Sequence, residues 1–200
     1  MSATKTIELV NLVYDYLSGM DDECLEPFLA AWPSQPFKTR IVSHKKKLSV
    51  VSYLQELVEE SDAETQKIVK MIETSAKHLF WGQTYSAEDF GNAFLEKYGW
   101  VELIGLRGQI KSKDIACGFL LLGPGIEYPK HSHEAEEVYI PLSSNSLWIQ
   151  GDDDWISRPS SVSIYHRSLL SHGMWTGNSP LLALYLWRGG NLTQKSHIDP

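Results

Sequence analysis

Two histidines stand two residues apart, at His131 and His133. A glutamate follows at Glu137 and a tyrosine at Tyr139. Alternate residues of a strand point to the same face. These four share one parity, so an extended chain aims all of them at a common point. Two neutral imidazoles and a carboxylate are donors that zinc, iron, manganese or cobalt accepts. A lone His-x-His more often belongs to a solvated surface strand. Here the glutamate four residues on, and Gly125 six residues before the first histidine, favour one divalent metal ion.

Such donors need a rigid frame, and the C-terminal half supplies candidates for it. From Trp100 onward, short apolar or β-branched segments alternate with turn residues. Strands are expected at Trp100–Leu106, Ile115–Leu122, Val138–Leu142, Leu147–Gln150, Val162–Tyr165, Leu169–Trp175 and Leu181–Trp187. Gly123-Pro124-Gly125, Ser143 to Asn145, Gly151 to Asp154 and Gly177 to Pro180 separate them. Many short strands at such spacing indicate a sandwich or jelly roll. The polar residues from Gly189 on are expected to be loosely held.

The first hundred residues read as helices. Val10, Val13, Tyr14 and Leu17 form one stripe, and Gly19 is a stop. Asp21 or Asp22 caps a short helix ending near Trp32-Pro33. Leu48, Val51, Leu54 and Val58 form a second stripe. Asp62 caps a helix holding Ile68, Ile72 and Ala76. Ser86 and Asp89 make a variant capping box, and Gly99 is read as that helix's C-cap. These apolar faces are expected to pack on the strands. Two regions are therefore expected, residues 1–99 helical and 100–200 a barrel.

The chain has 200 residues, a formal charge of −7 and a sequence pI near 5.5. An acidic chain of this kind argues against a nucleic-acid surface. The one basic run, His44 to Lys47, is read as a solvated loop. Cys24 and Cys117 match no metal spacing and are expected to be reduced thiols. The N-terminus lacks a signal-peptide pattern, and the apolar runs are too short to span a bilayer, so a cytoplasmic location is expected. Oligomeric state is not readable.

The pattern Gly125-x5-His131-x-His133-x3-Glu137 resembles the first motif of the cupin superfamily. Ser144 stands where that motif usually closes with a glycine. The resemblance implies a mainly β double-stranded β-helix barrel with three histidines and a glutamate around a metal. The last histidine comes from a second motif, which Pro159-Ser160-Ser161 matches poorly. His172 and His166 both remain open from strand parity. Ser171-His172-Gly173-Met174 is the better likeness, so His172 is preferred and His166, beside Arg167, is read as a loop or rim residue.

A narrower resemblance rests on Gln83-Thr84-Tyr85, Tyr98-Gly99-Trp100, His133 to Tyr139 and Pro180 to Tyr185. These are similar to dimethylsulfoniopropionate lyases of the DddL and DddQ type. The resemblance implies cleavage of dimethylsulfoniopropionate to dimethyl sulfide and acrylate. It places the metal ligands at His131, His133, Glu137 and His172, and tyrosines near the metal at Tyr128 and Tyr139.

The chemistry suits these residues. A metal on the substrate carboxylate stabilises charge as a base removes the neighbouring proton. The sulfonium leaves as a neutral thioether and needs no acid. Tyr139, with ligand parity, is the expected base. Tyr128 has the opposite parity and reaches the cavity only if the chain bulges, which Pro129 permits. Lys130 is a candidate for steering a carboxylate, though a surface lysine is the default. Aromatic faces attract a cation, so Trp187, Tyr185, Trp175 and Trp148 are candidates for the substrate pocket. The rival readings are another metal-dependent cupin, an isomerase or dioxygenase acting on a small acid, and a non-catalytic cupin that binds a small ligand.

Overall fold

The alternation that begins near Trp100 is realised as two β-sheets in a computed structural model, which describes residues 2–42, 47–143 and 145–199. His44 to Lys46 of the basic run, and Ser144, lie outside the described residues. Lys47 is exposed.

Five α-helices precede most of the strands: α1 (Ser2–Ser18), α2 (Glu26–Ala30), α3 (Leu54–Glu60), α4 (Gln66–Ser75) and α5 (Ala87–Glu96). Gly19 ends α1 as expected, its N–H bonding back to the Asp15 and Tyr16 carbonyls. Asp22 caps a single 3₁₀ turn before α2. Asp62 accepts the Glu64 and Thr65 N–H groups just before α4. The Ser86–Asp89 capping box is present on α5. The second stripe is phased differently from the expectation. A 3₁₀ turn over Ser49–Tyr53 precedes α3, so Val50, Leu54 and Leu57 are the buried residues.

Gly99 is not a C-cap. Lys97 ends α5, and Gly99 lies inside a strand. A Cβ there would stand 2.8 Å from Leu48 Cδ1 and 3.0 Å from Val50 Cγ1, so this glycine lets the 3₁₀ segment approach the sheet closely.

The strands are β1 (Trp81–Gly82), β2 (Tyr98–Gly105), β3 (Ile110–Lys111), β4 (Ile115–Leu122), β5 (Glu127–Ser132) and β6 (Glu136–Pro141). They continue as β7 (Ser146–Gln150), β8 (Ile156–Arg158), β9 (Ile164–His166), β10 (His172–Thr176), β11 (Leu181–Arg188) and β12 (His197–Ile198). The larger sheet runs β1-β2-β4-β11-β6-β9, with β3 beside β2. The smaller runs β12-β5-β10-β7-β8. All pairings are antiparallel except β2 with β3. The two sheets share one interior cluster, and this is the mainly β cupin barrel.

Three short strands, β1, β3 and β8, were not expected from the sequence, and neither was β12. The tail from Gly189 is not loose. Leu192 is buried, β12 pairs with β5 at Ser132 and His131, and the Asp199 N–H bonds the Lys130 carbonyl. Its polar residues gave no apolar pattern to read, yet backbone pairing and one buried leucine fix it.

The central strands of the larger sheet, β4, β11 and β6, are buried on both faces. On β11, Leu182, Leu184 and Leu186 face the helices, where they join Val10, Val13, Leu54 and Ile72. The intervening Leu181, Ala183 and Tyr185 face the barrel interior, with Trp187 packed against them. Strand β4 divides in the same way: Cys117, Phe119 and Leu121 outward, Ala116, Leu120 and Leu122 inward. Double burial explains why these segments read as continuous apolar runs. The helices thus complete the sheet's outer core, and the inner face is left for the site.

Candidate active site

The interior face of β6 presents Glu137 and Tyr139, each less than 6 % exposed. Strand β5 brings His131, the turn after it His133, and β10 brings His172 opposite His131 in register. All three imidazoles are at most 2 % exposed.

Each of these rings is held alike. Nδ1 of His131 lies 2.9 Å from the Pro129 carbonyl, that of His133 2.9 Å from the Ala135 carbonyl, and that of His172 2.8 Å from the Leu170 carbonyl. A carbonyl oxygen can only accept, so each Nδ1 must donate its hydrogen. In the neutral ring, Nε2 then carries only a lone pair. The Nε2 atoms of His133 and His172 lie 3.0 and 3.1 Å from Glu137 Oε2. Electron pairs gathered so closely need a cation among them. Backbone carbonyls fixing the tautomer of a ligating histidine are a usual second layer of metal sites. The His131, His133 and His172 donor atoms lie within 4.8 Å of one another, and Glu137 approaches from the side, so this buried group could hold a metal. The donor set fits one divalent ion.

Each imidazole also has an aromatic ring packed closely against it. Tyr128 covers His131 at 4.3 Å, Trp187 covers His133 at 4.1 Å, and His166 covers His172 at 4.0 Å between centroids. Trp187 further donates Nε1–H to Glu137 Oε1 at 2.5 Å. His166 is therefore not a rim residue. It lies on β9 opposite Glu137, 1 % exposed. The neighbouring Arg167 suggested a loop or rim, but a three-residue strand pairing with β6 turns it inward.

Tyr128 reaches the interior by the bulge that Pro129 permits. On β5 two residues, Pro129 and Lys130, lie between Tyr128 and His131, whereas one, Gly173, lies between their β10 partners Met174 and His172. The extra residue reverses the parity. The Tyr128 hydroxyl lies 2.8 Å from that of Tyr85.

Tyr128, Tyr139 and Trp187, which pack beside the donor residues, open onto a cavity of about 470 Å³ of empty space, part of it continuous with solvent. Tyr128, Tyr139, Tyr185 and Trp187 line it, as do Tyr85, Tyr98, Trp100, Arg107, Gln194 and Ser196. The sequence reading missed these last six because they come from α5's approach, from β2 and the turn after it, and from the tail. Arg107 is held over Trp100 at 4.7 Å and bonded to the buried Glu102. Trp148 is buried and packs on Tyr139 at 5.4 Å without lining the cavity. Trp175 does not belong here: it is 46 % exposed, on the opposite parity of β10 from His172 and Met174. Gly118 leaves room for the Tyr185 hydroxyl, which would stand 2.8 Å from a Cβ at that position.

Burial shifts the titrating groups. The Tyr139 phenol is pushed well above 10 by burial, and the Glu137 charge adds to it. Tyr128 and Tyr185 are raised in the same way. Burial raises Glu137, and positive charge at the His133 and His172 positions lowers it well below the usual carboxylate range, the effect that a cation among these atoms would have. Burial lowers His131 and His166, with His172 acting in the same direction on both, so both stay neutral. A dication lowers the pKa of a neighbouring phenol, opposing the shift on Tyr139.

A family model described as dimethylsulfoniopropionate lyase matches residues 34–183. The putative dimethylsulfoniopropionate lyase DddL of Cereibacter sphaeroides is 36 % identical over 116 residues, 57 % of this chain and 47 % of its own. The dimethylsulfoniopropionate lyase DddQ of Ruegeria pomeroyi is 29 % identical over 109 residues, 54 % of each. The chain thus spans about half the length of the curated relatives it matches. Two solved structures share the fold at 22 % identity. One, from a study of the DMSP lyases RdDddP and RnDddQII, has a TM-score of 0.84 with both chains covered in full. The other, DddQ from Ruegeria pomeroyi DSS-3, has a TM-score of 0.79 with 95 % of each covered.

Proposed function

The chain belongs to the dimethylsulfoniopropionate lyase family, and on that premise we propose that it cleaves dimethylsulfoniopropionate to dimethyl sulfide and acrylate by β-elimination. One observation carries the reading: Tyr139 lines an aromatic cavity and shares the inner face of β6 with the buried Glu137, beside His131, His133 and His172. A divalent zinc, iron, manganese or cobalt ion on those four residues would act as a Lewis acid toward the substrate carboxylate.

The chain's own residues do the rest. Tyr139, as phenolate, removes the proton on the carbon next to the carboxylate. That electron pair forms the carbon–carbon double bond, and the carbon–sulfur bond breaks. Sulfur keeps the bonding pair, so dimethyl sulfide leaves neutral and no acid is needed. Tyr128, fixed by the Tyr85 hydroxyl and stacked on His131, orients the substrate. Tyr185 and Trp187 offer ring faces to the sulfonium. Lining residues so largely aromatic also keep water away from the reacting carbon.

Purified protein supplied with dimethylsulfoniopropionate without oxygen should release dimethyl sulfide into the headspace. An oxygen requirement would instead favour a dioxygenase on the same ligands. Tight substrate binding without product would favour a binding protein.

A further inference from the structure

His166 is anomalous among the residues around the donor set. The other two rings packed on the imidazoles each use their polar atom. Tyr128 bonds Tyr85, and Trp187 bonds Glu137. His166 is 1 % exposed, and among the described residues neither of its ring nitrogens has a hydrogen-bond partner. A buried polar group left unpaired costs about 1–3 kcal/mol. A phenyl ring would cover His172 equally well at no such cost. Stacking alone therefore does not account for a histidine here.

The unpaired ring faces the site. A His166 nitrogen lies within 4.8 Å of both a Glu137 oxygen and a His172 nitrogen. It is poorly placed to share an ion with His172. The two rings are within 12° of parallel and 4.0 Å apart. An imidazole lone pair binds an ion in its own ring plane, and two parallel planes have no point in common. A nitrogen within 4.8 Å of both donor atoms is also within reach of a small group held beside them. The Tyr139 ring stands edge-on to His166, 6.0 Å away between centroids.

We propose that His166 is a substrate-binding residue whose ring N–H donates to the carboxylate of the small acid bound at the donor set. The ligand class is a monocarboxylate, and the contact fixes the orientation of the carboxylate plane against Tyr139. This rests on the metal-dependent reading above. It places His166 on the substrate and not on the ion.

The test uses cobalt(II)-loaded full-length protein and acetate as the probe, so that it does not depend on turnover. Cobalt affinity is measured by chelator competition, and acetate binding by the change in the visible cobalt spectrum. In His166→Phe, which keeps the stack, acetate should bind about ten- to hundredfold more weakly, the range for a hydrogen bond to a charged group. Cobalt affinity should stay within about twofold. His166→Gln, which retains an N–H donor, should recover part of the acetate affinity, whereas His166→Leu should not. If the phenylalanine variant fails to fold, the glutamine and leucine pair gives the same comparison. Unchanged acetate affinity would overturn the proposal in favour of simple packing. A parallel loss of cobalt affinity would overturn it in favour of a fifth ligand. If wild-type protein bound no cobalt at all, the metal reading itself would fall, and this inference with it.

Discussion

The two faces of the larger sheet are built from the same strands and do different work. The outer face is aliphatic: Leu182, Leu184 and Leu186 from β11, and Val138 and Ile140 from β6, interlock with the helices. The inner face sets Glu137, Tyr139, Tyr185 and Trp187 at the alternate positions of those strands. Branched aliphatic chains give close packing with no polar atom to satisfy. Tyrosine, tryptophan and histidine give a wall that also holds hydrogen bonds and can meet a cation. A single-residue slip would exchange the two faces, so register is strongly specified by both at once. The difference predicts a clean division of mutant effects, with stability read from the outer face and chemistry from the inner.

The largest effect is expected from the donor set. His172→Ala should remove bound metal, measured by elemental analysis, and lower activity to background, while the helix-packed face keeps the fold. Full activity in protein shown to be metal-free would break the metal reading and with it the division of labour. Next is Tyr139→Phe, which removes one oxygen from the inner face. Loss of one proton-transfer group costs about 10²–10⁴-fold in kcat. Tyr128→Phe should cost less and act mainly on KM. The comparison is made at equal metal occupancy, and a dead Tyr128→Phe beside a near-normal Tyr139→Phe would exchange the two roles.

The matching change on the outer face is Leu184→Ala. Leu184 is fully buried, paired with Phe119 and Ile140 in the sheet and part of the cluster shared with the helices. Truncating a buried leucine costs about 2–5 kcal/mol of stability. Denaturant unfolding should show that loss while kcat per folded, metal-loaded molecule stays near wild type. A kcat loss as large as the Tyr139 change would mean that the outer core sets the inner geometry, and the two faces are not separable.

Much of this contrast was legible in the sequence. His131, His133, Glu137 and Tyr139 lie within nine residues, so the sequence shows them as one group, although the chain turns at His133 and passes from one sheet to the other between β5 and β6. Segments such as Ile115–Leu122 were readable because both of their faces are apolar. The remainder depends on partners far apart in the chain. His166 is turned inward by pairing with a strand some thirty residues earlier, and its neighbour Arg167 points to a loop or rim. Tyr85, Arg107 and Gln194 meet only because α5's approach, the turn after β2 and the tail converge on one opening. Tyr128 needed a bulge, which a proline permits but does not require. The tail has no periodicity at all, being held by backbone pairing and by single contacts.

The smallest expected effect concerns one of those contacts. Lys195 in the tail bonds Asp89 Oδ1 on α5 at 2.7 Å and lies 5.4 Å over the Tyr85 ring, beside the cavity opening. The Lys195 hydrogen bond, followed by the Ser86 N–H, pulls the Asp89 carboxyl down to about 2 from a usual value near 3.8. A depressed carboxyl stabilises the folded form above the unfolded value, and that contribution is lost as pH falls from 3.8 through about 2. Both groups face water, so global stability should barely change. The tail's attachment is the sensitive quantity. At neutral pH, Lys195→Gln should be trimmed faster by a carboxypeptidase than wild type, with an unchanged Tm. Asp89→Asn should do the same and also weaken the α5 cap, because Asp89 Oδ2 accepts the Ser86 N–H at 2.8 Å. Added salt should speed trimming of wild type and leave Lys195→Gln unaffected. Equal trimming rates throughout would mean that β12 and the Asp199–Lys130 backbone bond hold the tail by themselves, and that the rim of the cavity is closed by backbone and not by charge.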